Sequence, residues 1–82
     1  MENSDSNASA GPHEEEMEGV AQMGSLLTKH RTELYAYLYS AVLNHHDAED
    51  LVQDVSAAAI RSWRQYAPGS NCAAWLREIA RR

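Results

Sequence analysis

Apolar residues recur at intervals of three and four from Asp47 to Tyr66, where Ala48, Leu51, Val52, Val55, Ala59, Trp63 and Tyr66 fall on one side of a 3.6-residue helix. A stripe of that width must be buried, so the run DAEDLVQDVSAAAIRSWRQY predicts an amphipathic helix packed on its neighbours. Asp47 is of N-cap type, and Asp50 three places on makes a capping-box arrangement with a short partner. Glu49 and Asp50 complement the positive end of the helix dipole, and Arg61 and Arg64 the negative end. Ahead of this run, Ser25 is placed to cap a helix reaching about Asn44. Leu27, Leu34, Leu38, Ala41 and Val42 share one side of it, flanked by Tyr35 and Tyr39. The connector Asn44-His45-His46 is so short that the second helix must pack back on the first. Beyond Tyr66, Pro68 disfavours helical geometry at Ala67 and Gly69 supplies a joint. A third helix restarts at Ser70 or Asn71 with Cys72, Trp75, Leu76 and Ile79 inward. No stretch alternates as a strand would, and the fold class is all-α: a small three-helix bundle.

Charge divides the chain. Residues 1–20 hold six acids (Glu2, Asp5, Glu14, Glu15, Glu16 and Glu18) and no Lys or Arg, whereas the remainder holds six acids against seven bases. The net charge of -5 is therefore a property of the tail and does not argue against a nucleic-acid partner. The tail is rich in Ser, Asn, Gly and Glu, with too little apolar surface to offset the entropy of ordering, and is expected to be a disordered acidic segment over residues 1–22. Residues 23–82 form the helical domain. At that size the core is small, and the aromatic residues must supply much of its burial. No run approaches a membrane span or a secretory signal, so a cytoplasmic protein is expected. Cys72 is the only cysteine, which excludes an intramolecular disulfide and a thiolate cluster; it reads as a buried thiol. The chain stops at Arg81-Arg82 inside a helical pattern with no stop signal, as a C-terminally truncated product would.

Three groups of polar residues carry candidate chemistry. Asp50, Gln53, Asp54 and Ala57 lie at helical spacing off the apolar stripe, with Ser56 beside them. They either solubilise the helix or offer acceptors to a basic partner helix. Tyr66, Ser70 and Asn71 bracket the Pro-Gly joint, either as a plain interhelical turn with a cap or as a ring and small polar groups suited to an extruded base. Arg77 and Arg81 share a face of the third helix, followed by Arg82, where they meet phosphates or complement the dipole. His45, His46 and Asp47 are adjacent in a connector and lack a further ligand nearby, so no metal or other cofactor is expected. No nucleophile motif, glycine-rich phosphate loop or carboxylate pair is present, and the chain is not read as an enzyme.

Three pieces, LYAYLYSAVLN, DAEDLVQDV followed by Arg61, Trp63 and Tyr66, and PGSNCAAWLREIARR, stand in an order and spacing that resembles region 2 of bacterial RNA polymerase sigma factors, in particular the extracytoplasmic-function group. The resemblance covers Leu34 to Arg82. It implies a non-catalytic domain that binds core polymerase and recognises and melts the promoter -10 element. In such a domain Asp50, Gln53, Asp54 and Ala57 would dock on a coiled coil of the polymerase largest subunit. The loop Tyr66 to Ala73, with Tyr66, Ser70 and Asn71, would capture the non-template strand of the -10 element, and Arg77 and Arg81 would meet its phosphates. An anti-sigma factor is a further implied partner. Cys72 and Ala73 are small where many relatives carry larger side chains, and the family's second, helix-turn-helix domain is not within these residues. The competing class is a helical protein-interaction module without sequence-specific DNA binding. A helix-turn-helix reader is disfavoured by the long second helix and the lack of basic residues at the start of the third.

Overall fold

The computed structural model describes residues 2–82, with side chains from His13 onward. Residue 1 lies outside the described residues, and the tail expected to be disordered over residues 1–22 lies, from Glu2 on, within the first helix. Three α-helices and one 3-10 turn make up the architecture: α1 Glu2–Val42, α2 His45–Arg61, the 3-10 helix Trp63–Gln65 and α3 Cys72–Ala80. Among the described residues there is no strand.

The start of α1 corrects the cap expected at Ser25. The helix passes through Ser25, and the expected boundary at residue 22 falls inside it. Local capping types do not determine this start, because the upstream turns are placed by tertiary contact: Met23 is buried in the core and Gly19 is buried against the Trp63 ring. From Met23 the inner side continues through Leu34 and Leu38, with Leu26, Leu27, Tyr35 and Tyr37 partly buried against it. Ala41, expected on that side, is exposed.

α1 ends with Leu43 in the left-handed region at φ 55, its N–H donating to the Tyr39 carbonyl at 2.7 Å. This is the αL termination, in a position that favours Gly or Asn. The next residue corrects the expected cap of α2. Asn44, not Asp47, is the N-cap, and its Oδ1 accepts from the Asp47 N–H at 2.9 Å. His45 and His46 are therefore the first turn of α2 and not a connector, and Asp47 contributes its charge to that turn. The Tyr35 hydroxyl and His45 Nδ1 are hydrogen-bonded across the corner, and Tyr39 and His45 rings lie 5.0 Å apart. Desolvation, then the Glu49 carboxylate and Tyr39, hold the Tyr35 phenol above its ordinary pKa.

α2 buries Ala48, Val52, Val55 and Ala59, while Leu51, Trp63 and Tyr66 are half-buried at the edges of the same stripe. It stops at Arg61, short of the expected Tyr66. The Ser62 N–H is shared between the Ala58 and Ala59 carbonyls, which tightens the last turn into the 3-10 segment. α3 closes the core with Cys72, Leu76 and Ile79; Trp75, expected inward, is half-buried. Desolvation pushes the Cys72 thiol up in pKa, opposed by the Lys29 charge. Leu76 and Val52 are 1% exposed and form the centre. Helices α1, α2 and α3 thus meet in one small apolar core.

Candidate functional site

Two surfaces follow from how α2 is seated. Burying Ala48, Val52, Val55 and Ala59 turns Asp50, Gln53, Asp54 and Ala57 outward, and all four are exposed. Among the described residues, none of these side chains hydrogen-bonds or pairs with another. Their acceptor atoms are therefore fully available to a partner, as an acidic helical ridge with a small residue at one end. Ser56, beside this ridge, is half-buried.

The second surface begins where α2 ends. Within the 3-10 turn the Trp63 carbonyl accepts the Tyr66 N–H at 3.2 Å, and the Arg64 guanidinium lies 4.5 Å from the Trp63 ring centroid. The loop then makes a β-turn in which the Ala67 carbonyl accepts from the Ser70 N–H at 3.0 Å, with Pro68 and Gly69 central. Gly69 has φ 88, the left-handed geometry that the third residue of a type II turn requires. Side chains reinforce the turn. Ser70 Oγ donates to the Ala67 carbonyl at 2.6 Å, and the Tyr66 hydroxyl donates to the Ser70 carbonyl at 2.7 Å. The Tyr66 ring also lies 5.2 Å from that of Trp75, tilted by 54°. Tyr66 thus braces the loop as well as bordering it. Asn71 caps α3 by accepting the Ala74 N–H at 3.0 Å, which leaves its side-chain NH2 pointing away from the cap. Ser70 and Asn71 are exposed and Tyr66 is half-buried, its hydroxyl on the Ser70 carbonyl.

The two arginines expected to accompany them are differently placed. Arg77 is half-buried with its guanidinium 5.8 Å from the Tyr37 ring centroid. Arg81 is exposed and paired with Glu78. Tyr37 first, and Glu78 next, raise the Arg81 pKa further, so its charge is constant. Arg77 is therefore engaged with the Tyr37 ring and Arg81 with the Glu78 carboxylate.

A groove of about 650 Å³ adjoins the loop, lined by Trp63, Arg64, Tyr66, Pro68 and Gly69 on one side and by Glu15, Gly19, Gln22, Met23, Ser25 and Leu26 of α1 on the other. Its aromatic lining suits a planar ligand. Sequence reasoning assigned no site role to Trp63, Arg64 or the α1 wall. No local signal marked them: Gly19 falls in the stretch read as a tail, and its contact with Trp63 joins residues far apart in the chain.

A family model for sigma-70 region 2 matches residues 26–82, well over half of the chain. The chain belongs to the sigma-70 region 2 family. No curated protein and no solved structure matches it. Membership makes it a transcription-initiation domain without an enzymatic role, of the kind that binds core polymerase and takes part in promoter melting. Among the described residues no helix is long and apolar enough to cross a membrane.

Proposed function

We propose that this sigma-70 region 2 domain is of the extracytoplasmic-function type and uses its two surfaces for two partners. Asp50, Gln53, Asp54 and Ala57 dock on the coiled coil of the polymerase largest subunit. Tyr66, Ser70 and Asn71 receive the non-template strand of the promoter -10 element, and Arg77 and Arg81 supply phosphate contacts. The observation that supports this most directly is that α2 presents a free acidic ridge and ends in an exposed polar loop beside an aromatic groove. No bond chemistry is required of the protein. Extruding a base costs a few kcal/mol of stacking and pairing, which stacking in the groove and hydrogen bonds from the loop offset. The work is done in the cytoplasm, and a protein that covers the same loop, such as an anti-sigma factor, would silence it.

The test joins the chain to core polymerase and measures binding of single-stranded -10 oligonucleotides against scrambled strands of equal length. A clear preference for one sequence is expected. Polymerase binding with equal affinity for all strands would refute the DNA assignment and leave a protein-interaction module.

A further inference from the structure

The groove beside the loop is built half from residues that precede the family match, which begins at residue 26. The contact that joins the two halves is Gly19 on Trp63. Gly19 is buried, and a β-carbon there would lie inside contact distance of Cζ3 and Cη2 of the Trp63 ring. The ring is laid flat on bare helix backbone, which only glycine permits. Glycine disfavours a helix interior relative to alanine, so local propensity gives no reason for it at this position. Gly24, the next glycine on α1, has nothing within 4 Å of its own β-carbon position and shows that a glycine in this helix need not touch anything.

What Trp63 carries is the root of the loop. Its carbonyl receives the Tyr66 N–H, its ring underlies Arg64, and the Tyr66 hydroxyl holds the Ser70 carbonyl next to Asn71. Trp63 thus stands one backbone hydrogen bond from Tyr66, which in turn holds Ser70 beside Asn71.

We infer that Gly19, outside the family match, is a positioning residue for strand recognition: by seating Trp63 flat against α1 it sets the loop Tyr66–Asn71, and α1 upstream of residue 26 forms the second wall of the reading groove. This rests on the proposed -10 reading. The ridge on α2 is not part of the chain of contacts, so polymerase binding is independent of it.

The experiment uses the full chain bound to core polymerase. Gly19→Ala adds one methyl group, improves helix propensity and forces the ring to move; Gly19→Leu exaggerates the effect. The expected result is a loss of roughly ten-fold in the preference for the matched over the scrambled -10 strand for Gly19→Ala, with polymerase affinity unchanged. Trp63→Leu in the Gly19→Ala background vacates the space the methyl group needs and is expected to recover part of that preference, a rescue that general destabilisation would not produce. Tryptophan fluorescence of the free chain carrying Trp75→Phe, in which Trp63 is the single tryptophan, reports whether the ring has moved. An unchanged preference with a shifted Trp63 emission overturns the inference, as does an unchanged preference with an unshifted one. Equal loss of polymerase affinity and strand preference also overturns it, since that is unfolding. If the wild-type chain shows no preference, the -10 reading itself fails, which is distinguishable from failure in the variants alone.

Discussion

Asn44 and Asn71 make the same cap in different places, and the pair separates stability from recognition. Asn44 Oδ1 accepts the Asp47 N–H at 2.9 Å and Asn71 Oδ1 accepts the Ala74 N–H at 3.0 Å, so each satisfies one otherwise unpaired donor at a helix start. Replacing either by Ala should cost about 1 kcal/mol. In a domain of this size that lowers the melting temperature by roughly 4–8 °C. Only Asn71 stands on the proposed reading loop, and its NH2 is the donor not used by the cap. Losing one base contact is worth about 0.5–1.5 kcal/mol, or up to roughly ten-fold in the matched-to-scrambled binding ratio. Asn71→Asp is the decisive variant. A carboxylate keeps the cap and suits the helix dipole, but offers no donor at neutral pH. Its added charge repels matched and scrambled strands alike, so the ratio isolates base reading. Thermal melts and fluorescence anisotropy in complex with core polymerase should give Asn44→Ala less stable with the ratio intact, and Asn71→Asp stable with the ratio reduced. A retained ratio in Asn71→Asp, or an equal loss in Asn44→Ala, would show that Asn71 acts as a cap alone.

Other expectations address the ridge, the core and pH. Asp54→Arg reverses an exposed charge without touching the core and should weaken capture of the polymerase coiled coil at unchanged helical content; full retention in a pull-down would remove Asp54 from the interface. Leu76→Ala empties the centre of the core and should cost about 2–5 kcal/mol, enough to take most of the stability of a domain this small in a urea titration. The folded Cys72 pKa is raised by burial, so the stability it contributes is complete below the ordinary thiol range of about 8.5 and is lost as pH rises through the folded value. The wild type should therefore lose more stability than Cys72→Val between neutral pH and about pH 10; parallel losses would count against the buried-thiol assignment.

The fold was legible where short-range periodicity and burial coincide. On α2 the inner residues Ala48, Val52, Val55 and Ala59 and the outer Asp50, Gln53 and Asp54 follow from a single 3.6-residue repeat. Caps were less legible because several residues of capping type compete locally. Asn44 and Asp47 both qualify, and the αL geometry at Leu43, which decides between them, is adopted by a residue whose type does not announce it. Beside the Pro-Gly joint Ser70 and Asn71 both qualified as the start of α3, and Asn71 is the N-cap. The upstream half of α1 and its wall of the groove were not legible. Their position depends on Gly19 meeting Trp63, a contact across more than forty residues that leaves no periodic trace. For the loop, the family resemblance made Tyr66, Ser70 and Asn71 candidates, whereas the bracing of the Ser70 carbonyl by Tyr66 emerges only from the turn's geometry.

Charge placement bears on which partner supplies the binding energy. Residues 21–82 carry seven bases against six acids, and six further acids precede them. The two arginines assigned to phosphates are partly committed, Arg77 to Tyr37 and Arg81 to Glu78. With two such contacts to a single strand, counterion release predicts a slope of log K against log salt of about -1.4. That is too shallow to drive association by electrostatics, so the domain should read bases effectively only when polymerase holds it beside the DNA and raises its effective concentration. The measurement is anisotropy of a labelled -10 strand with the isolated chain across a salt series. Weak binding with a slope near this value is expected, and tight binding with a slope steeper than roughly -4 would mean that many more cations than Arg77 and Arg81 face the strand.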